Sequence, residues 1–236
     1  DITNVNNIQE VDRIQSNPGS GTIPHNTHVE GNFLITSYYR DGTTVHDITY
    51  PNNMIEVAYY DSYPGSGNGF DGNWGTYPFL PSGNIISSDI NSGPSTQSAP
   101  NGTAQLLIYE RQFQQACYLE GTVTDANTTN AIASANIEIL TSSISTSTNI
   151  SGAYTSGIAN GGTYNILFSK PGYISDTISA ILSNGVMTTV NAQLIPLTPF
   201  TGNGIVTDIS GNGIANAQVL IYNNDFTFTL TTDVNG

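Results

Sequence analysis

The residues predict an all-β protein: blade-like sheets in the first third, then a small sandwich, then the first half of a second sandwich copy. Three observations carry this reading. Only 9% of the 236 residues are charged, against a norm of about 25%, and Asn, Ser, Thr and Gly take their place. No run of ten or more residues has the i, i+3, i+4, i+7 apolar spacing of a helix, whereas short stretches alternate with period two. Sequence blocks also recur at two distinct periods.

The N-terminal third carries the shorter period. The block DITNVNNIQEV starts at Asp1, and DITYPNNMIEV starts at Asp47, 46 residues on. A weaker echo pairs GNFLITS from Gly31 with GNIISSD from Gly83. A period in the forties suits a four-stranded propeller blade. Strands are expected over Asn32–Tyr39, Thr43–Ile48, Ile55–Asp61, Asn84–Ile90 and Ala104–Tyr109. Turn clusters separate them at Tyr63–Asn73 and Asn91–Gly102.

The longer period starts near Tyr118. GTVTD at Gly121–Asp125 returns as GIVTD at Gly204–Asp208. AIASANIEI at Ala131–Ile139 returns as GIANAQVLI at Gly213–Ile221, and TNISG at Thr148–Gly152 as TDVNG at Thr232–Gly236. Three blocks in one order mark a duplicated unit. Strands are expected near Leu119–Thr124, Asn136–Leu140, Ala153–Ser156, Tyr164–Ser169, Ser175–Ile181 and Thr188–Leu194, a sandwich of about 80 residues. The domain limits follow as 1–116, 117–196 and 197–236, with PLTPF at Pro196–Phe200 a stiff connector.

Four Lys+Arg against eighteen Asp+Glu give a net charge of −14. That opposes nucleic acid, which needs clustered Lys and Arg, and an anionic membrane surface. It leaves two readings, solubility or divalent-cation binding. The single cysteine, Cys117, excludes an internal disulfide and reads as a small buried hydrophobe. No run of 18 apolar residues crosses a membrane. A chain opening Asp-Ile-Thr-Asn is expected to continue upstream in the natural protein.

The chemistry-bearing residues are sparse. His25 and His28 lie close to Glu30, but on a regular strand His25 points away from the other two. Zinc needs at least three convergent ligands, so structural hydrogen bonding is the favoured reading. Ser66 in YPGSGNG lacks the strand–turn–helix context of a nucleophile elbow. No acid–base or nucleophile set converges, so the expectation is a non-catalytic chain. Asp61, Asn68, Asp71 and Asn73 share a glycine-rich loop that offers oxygen ligands to calcium, the one cofactor expected; the alternative is Asx-turn capping. Tyr63, Phe70, Trp74 and Tyr77, with Tyr59, Tyr60 and Phe79 nearby, form either a ligand platform for carbohydrate or the core under a long loop. Asp125 and Asp208, at equivalent positions, are expected to cap turns.

Two resemblances sharpen these expectations. His25–Asp61, with its SYYRDG and DIT runs, resembles the LVIVD-repeat propellers that include the choice-of-anchor B proteins. Residues 118–195 resemble the carboxypeptidase regulatory-like domain, a transthyretin-like β-sandwich, with a partial copy at 202–236. That family is accessory and carries no active site of its own. The pairing resembles secreted proteins of Bacteroidetes-type bacteria and implies an extracellular or cell-surface location, reached through type IX secretion. Adhesion or interaction modules are the expected function, with β-strand pairing to neighbouring domains or chains as the expected contact. The rivals are an accessory region of a larger secreted enzyme and a subunit of an extracellular filament.

Overall fold

A computed structural model describes residues 4, 6–16, 21–65, 67–92, 102–198, 202–222 and 227–236. Ser66, most of the Asn91–Gly102 cluster and part of the Pro196–Phe200 connector lie outside them. Among the described residues, apart from one 3-10 turn at Tyr39–Asp41, the regular structure is strand, as the turn-rich, Thr/Val/Ile/Tyr-rich composition demands.

The first sheet is a meander of β1 (Pro24–Glu30), β2 (Phe33–Tyr38), β3 (Gly42–Asp47) and β4 (Ile55–Tyr60). The second is a three-stranded meander of β5 (Asn73–Tyr77), β6 (Ile85–Asp89) and β7 (Gln105–Tyr109). All their pairings are antiparallel. The sheets pack over a small core of Ile35, Val45 and Ile85, flanked by Phe33, Val57, Tyr109 and Phe113. Polar groups seal the same seam. Asn73 Nδ2 donates to Thr43 Oγ1 at 2.9 Å, and the Thr43 and Ser87 hydroxyls lie 2.7 Å apart. Neither sheet closes into a barrel or ring.

The sandwich from β8 onward holds the main core. One sheet runs β10 (Ser145–Ser147), β9 (Asn136–Ile139), β12 (Gly162–Ser169), β14 (Asp176–Leu182). The other centres on β8 (Cys117–Asp125), with β11 (Ala153–Ile158) on one side. Beside β8 run β15 (Met187–Thr189) and β16 (Ala192–Pro196), both parallel to it, and β13 (Tyr173–Ile174) pairs with β16. Leu119, Val123, Ile137, Ile139, Ile166, Phe168, Leu182 and Leu194 are all at most 1% exposed, each contributing about 1.5–3 kcal/mol by leaving water. Cys117 is buried among them, and burial pushes its thiol pKa up.

The expected strand at Thr188–Leu194 is instead two strands. Val190 and Asn191 break it. Asn191 Oδ1 accepts from the Thr122 N–H at 2.8 Å and the Thr122 hydroxyl at 3.0 Å. The chain can press in there because residue 121 is glycine: a Cβ at Gly121 would stand 1.9 Å from the Val190 carbonyl oxygen.

The duplication extends to individual hydrogen bonds. Thr148 Oγ1 donates to the Ile132 carbonyl at 2.6 Å and accepts from the Ala135 N–H at 2.9 Å. Thr232 Oγ1 does the same with Ile214 and Ala217 at the same two distances. Ser134 and its counterpart Asn216 both hold left-handed backbone, φ 53° and 59°. Asp125 and Asp208 both accept backbone N–H bonds two residues on; the Thr128 N–H at Asp125 and the Asn212 side-chain amide at Asp208 do most to lower the two carboxyl pKa values. The second copy comprises the hairpin of β17 (Gln218–Tyr222) and β18 (Thr227–Thr231), with a single antiparallel bridge between Thr207 and Gly213 ahead of it. Here Val206, Val219 and Ile221 stay only half-buried, whereas their counterparts Val123, Ile137 and Ile139 are sealed by β12, β14 and β16.

Candidate functional site

Two regions concentrate chemistry: an aromatic strip along β1 and β5, and the junction where the meander sheets meet the sandwich.

The strip arises from two β-bulges. Pairing shifts between Asn73 and Gly75 on β5, and between Pro24 and Asn26 on β1. A bulge inserts one residue and breaks the strict alternation of faces. Trp74 and Tyr77, three apart, are thereby both exposed, while Asn73 and Thr76 are both buried. His25 likewise does not point away from its neighbours' partners as a regular strand requires. Its ring lies 4.5 Å from Trp74 and 5.2 Å from Tyr39, and His28 meets Phe79 at 5.7 Å. Tyr39 in turn packs edge-on to Phe70 at 5.2 Å. Phe70, Trp74, Tyr77 and Phe79 remain 66%, 45%, 46% and 44% exposed. Aromatic rings fixed by mutual edge-to-face contact, yet open to solvent, can stack on a ligand without further loss of rotamer freedom. Tyr63, the fourth residue of the expected platform, instead lies under the Arg40 guanidinium, 4.9 Å from its ring centre.

The loop quartet is divided. Both oxygens of Asp71 are used: one pairs with Arg40, and the other accepts from Asn91 Nδ2 at 2.7 Å. These contacts, Arg40 foremost, lower the Asp71 pKa. Asn73 is fully buried in the sheet seam, its Nδ2 given to Thr43. Asp61 accepts from the Tyr63 N–H at 2.9 Å, an Asx turn, and Asn68 is exposed. Glu30, named beside the histidines, pairs with Arg111. Among the described residues no three His, Cys, Asp or Glu side chains are placed to hold a metal ion.

The junction was not legible in the sequence. Asp47, last residue of β3, accepts from the Ala116 N–H at 2.8 Å just before β8 begins. Its other oxygen takes the Thr49 N–H and hydroxyl at 2.9 and 2.6 Å. Asn53 Nδ2 donates to the Ser156 carbonyl of β11 at 2.8 Å, and Gln115 Nε2 donates to Thr49 Oγ1 at 2.9 Å. Asn184 clamps the same connector, donating to the carbonyls of Gln115 and Ala159. Tyr50 packs edge-on to the fully buried Tyr118 at 4.5 Å. Ile55 reaches Gly157 of β11, where a Cβ would stand 3.0 Å from its side chain. Asp47, Asn53 and Ala116 are all less than 9% exposed.

Residues 118–195 match the carboxypeptidase regulatory-like domain family. No curated protein matches the chain. Solved structures overlap parts of it, among them the three that follow. They are GBS52, the minor pilin of Streptococcus agalactiae (16% identity, TM-score 0.31), the group B streptococcus pilus 2b backbone protein (12%, 0.29) and the Bacillus anthracis TIE protein (12%, 0.31). The overlaps cover 54%, 76% and 89% of this chain and 66%, 82% and 46% of those chains, respectively. Likenesses at those TM-scores fix neither fold nor function. Among the described residues, no helix is long and apolar enough to cross a membrane.

Proposed function

We propose that the chain is a non-catalytic structural and binding region of a secreted or cell-surface bacterial protein. In this reading a rigidly mounted sandwich carries the meander sheets and their aromatic strip outward. The observation that carries it is the junction. Buried side chains from β3 and the β3–β4 turn satisfy backbone groups of the sandwich, and breaking such a bond strands a buried donor at a cost of about 1–3 kcal/mol. A tethered accessory domain on a loose linker would not need those bonds. The two meanders are blades of a propeller of the LVIVD type, which the 46-residue period and the four-stranded first sheet support. The aromatic strip is the ligand face, and carbohydrate is the ligand class that exposed Trp and Tyr rings fit.

Spin labels placed at Asn84 and Asn127, with Cys117 replaced by alanine, test the rigidity. A single narrow distance distribution is expected. A broad distribution would make the sandwich a tethered appendage and remove the basis of the reading.

A further inference from the structure

The two sandwich copies differ in what lies along the strand that opens each hairpin. In the first, β9 has β10 on one side and β12 on the other. β12 runs antiparallel to it, with Phe168 beside Ile137 and Ile166 beside Ile139. The Leu140 N–H just past β9 reaches the Asn165 carbonyl at 2.9 Å. In the second copy, among the described residues, β17 is paired with β18 alone. The Thr232 N–H donates to the Ala217 carbonyl at 2.9 Å, and backbone groups alternate in direction along an antiparallel pair. Val219 and Ile221 therefore face β18, and the N–H and C=O groups of Gln218, Leu220 and Tyr222 line the open edge. Such a row is a template for a further strand. No charged residue and no proline guards it from Ile209 to Asn224, and Leu220 and Tyr222 are 56% and 71% exposed.

We infer that this edge pairs with β17 of a second copy of the chain, antiparallel about a two-fold axis through Leu220. In that register Leu220 lies opposite itself, Val219 opposite Ile221 and Gln218 opposite Tyr222. Ile221 then stands beside Val219 as Phe168 stands beside Ile137 in the first copy, and Val219 beside Ile221 as Ile166 beside Ile139. An interface between identical copies must be self-complementary, and one difference between the two copies supplies this. Where β9 has Glu138, β17 has Leu220. A glutamate on the axis would set two carboxylates directly opposite each other, which destabilises an antiparallel pair; leucine sets two apolar side chains there. A strand from an unrelated protein imposes no such condition, just as β9 carries Glu138 opposite Leu167. The chain has a net charge of −14, so two copies meet with least repulsion along an uncharged segment.

The test is analytical ultracentrifugation of the full chain over a range of concentrations. A monomer–dimer equilibrium is expected, strengthened by salt that screens the net charge. Leu220→Glu restores the residue of the first copy at an exposed position and should weaken the dimer by at least about tenfold. Leu106→Glu, on β7 and 68% exposed, should leave it unchanged. In a Cys117→Ala background, Leu220→Cys should give a disulfide-linked dimer on mild oxidation, because Cα atoms of a directly opposed, hydrogen-bonded pair lie about 5.5 Å apart. Thr229→Cys, on β18, should not. Should the Cys117→Ala background fail to fold, the sedimentation of the two Glu variants decides. A chain that stays monomeric at every concentration, a dimer indifferent to Leu220→Glu, a dimer lost in Leu106→Glu, or cross-linking through position 229 rather than 220 would each overturn the assignment.

Discussion

The carboxylate of Asp47 accepts the backbone N–H of Ala116 at 2.8 Å, joining the end of β3 to the first residue before β8 across 69 positions of sequence. With its second oxygen on Thr49, this one side chain satisfies three donors at a site it shares with no solvent. Asp47→Ala leaves the Ala116 N–H buried and unpaired and should destabilise the chain by about 2–4 kcal/mol. Asp47→Asn keeps one acceptor and should cost less. Urea unfolding of the two variants checks the order.

Gly121→Ala should also destabilise, for a different reason. The added methyl meets the Val190 carbonyl at 1.9 Å and the Tyr154 ring at 3.0 Å, and the carbonyl belongs to backbone that cannot swing aside. Overpacking of this kind costs about 1–3 kcal/mol. Thermal melting should show the loss, whereas Gly204→Ala, the matching position of the second copy with open space around it, should melt like the parent.

In mildly acidic solution, His46 and Glu56 pull stability in opposite directions. His46 has a folded pKa of about 4, below its ordinary 6.5, so the unfolded chain binds more protons between those values and stability rises with pH there. Glu56 has a folded pKa of about 7, above its ordinary 4.5, so the folded chain binds more protons and stability falls with pH over that window. From about 4.5 to 6.5 the two slopes oppose each other. Glu56→Gln removes one slope and should leave stability rising more steeply with pH over that range than in the parent. Denaturation midpoints at half-unit pH steps give the comparison.

For the Asp71 loop, calcium ligation and the observed pairing lead to different results. Because Arg40 and Asn91 already hold both Asp71 oxygens, Asp71→Ala should lower the melting temperature equally in calcium and in chelator. A drop seen only with calcium would show that the ion displaces Arg40 and that the quartet acts together.

Much of the strand pattern could be read from alternation. Ile137 and Ile139, or Ile166 and Phe168, announce a buried face every second residue, and β9 and β12 lie where that pattern puts them. The duplication was visible in the GTVTD and GIVTD blocks, and the Thr148 and Thr232 bonds repeat it atom by atom. What escaped is what breaks the period. β5 hides inside a glycine-rich run because its bulge places Trp74 and Tyr77 on one side. β15 and β16 were merged because nothing local says that Asn191 will turn to Thr122. The junction is longer-range still: Asp47 falls inside the expected strand Thr43–Ile48, and its bond to Ala116 exists only once both modules are folded.

The central claim is that meander sheets and sandwich form one mechanical unit. Native-state hydrogen exchange, followed residue by residue at increasing denaturant, tests it most directly. Amides of β3 and β8 should merge into a single global opening with one free energy. In the Asp47→Asn, Asn53→Ala double variant β3 should open at lower free energy than β8. If β3 and β8 already open at separate energies in the parent, and the double variant changes neither, the junction does not couple the modules and the account is contradicted.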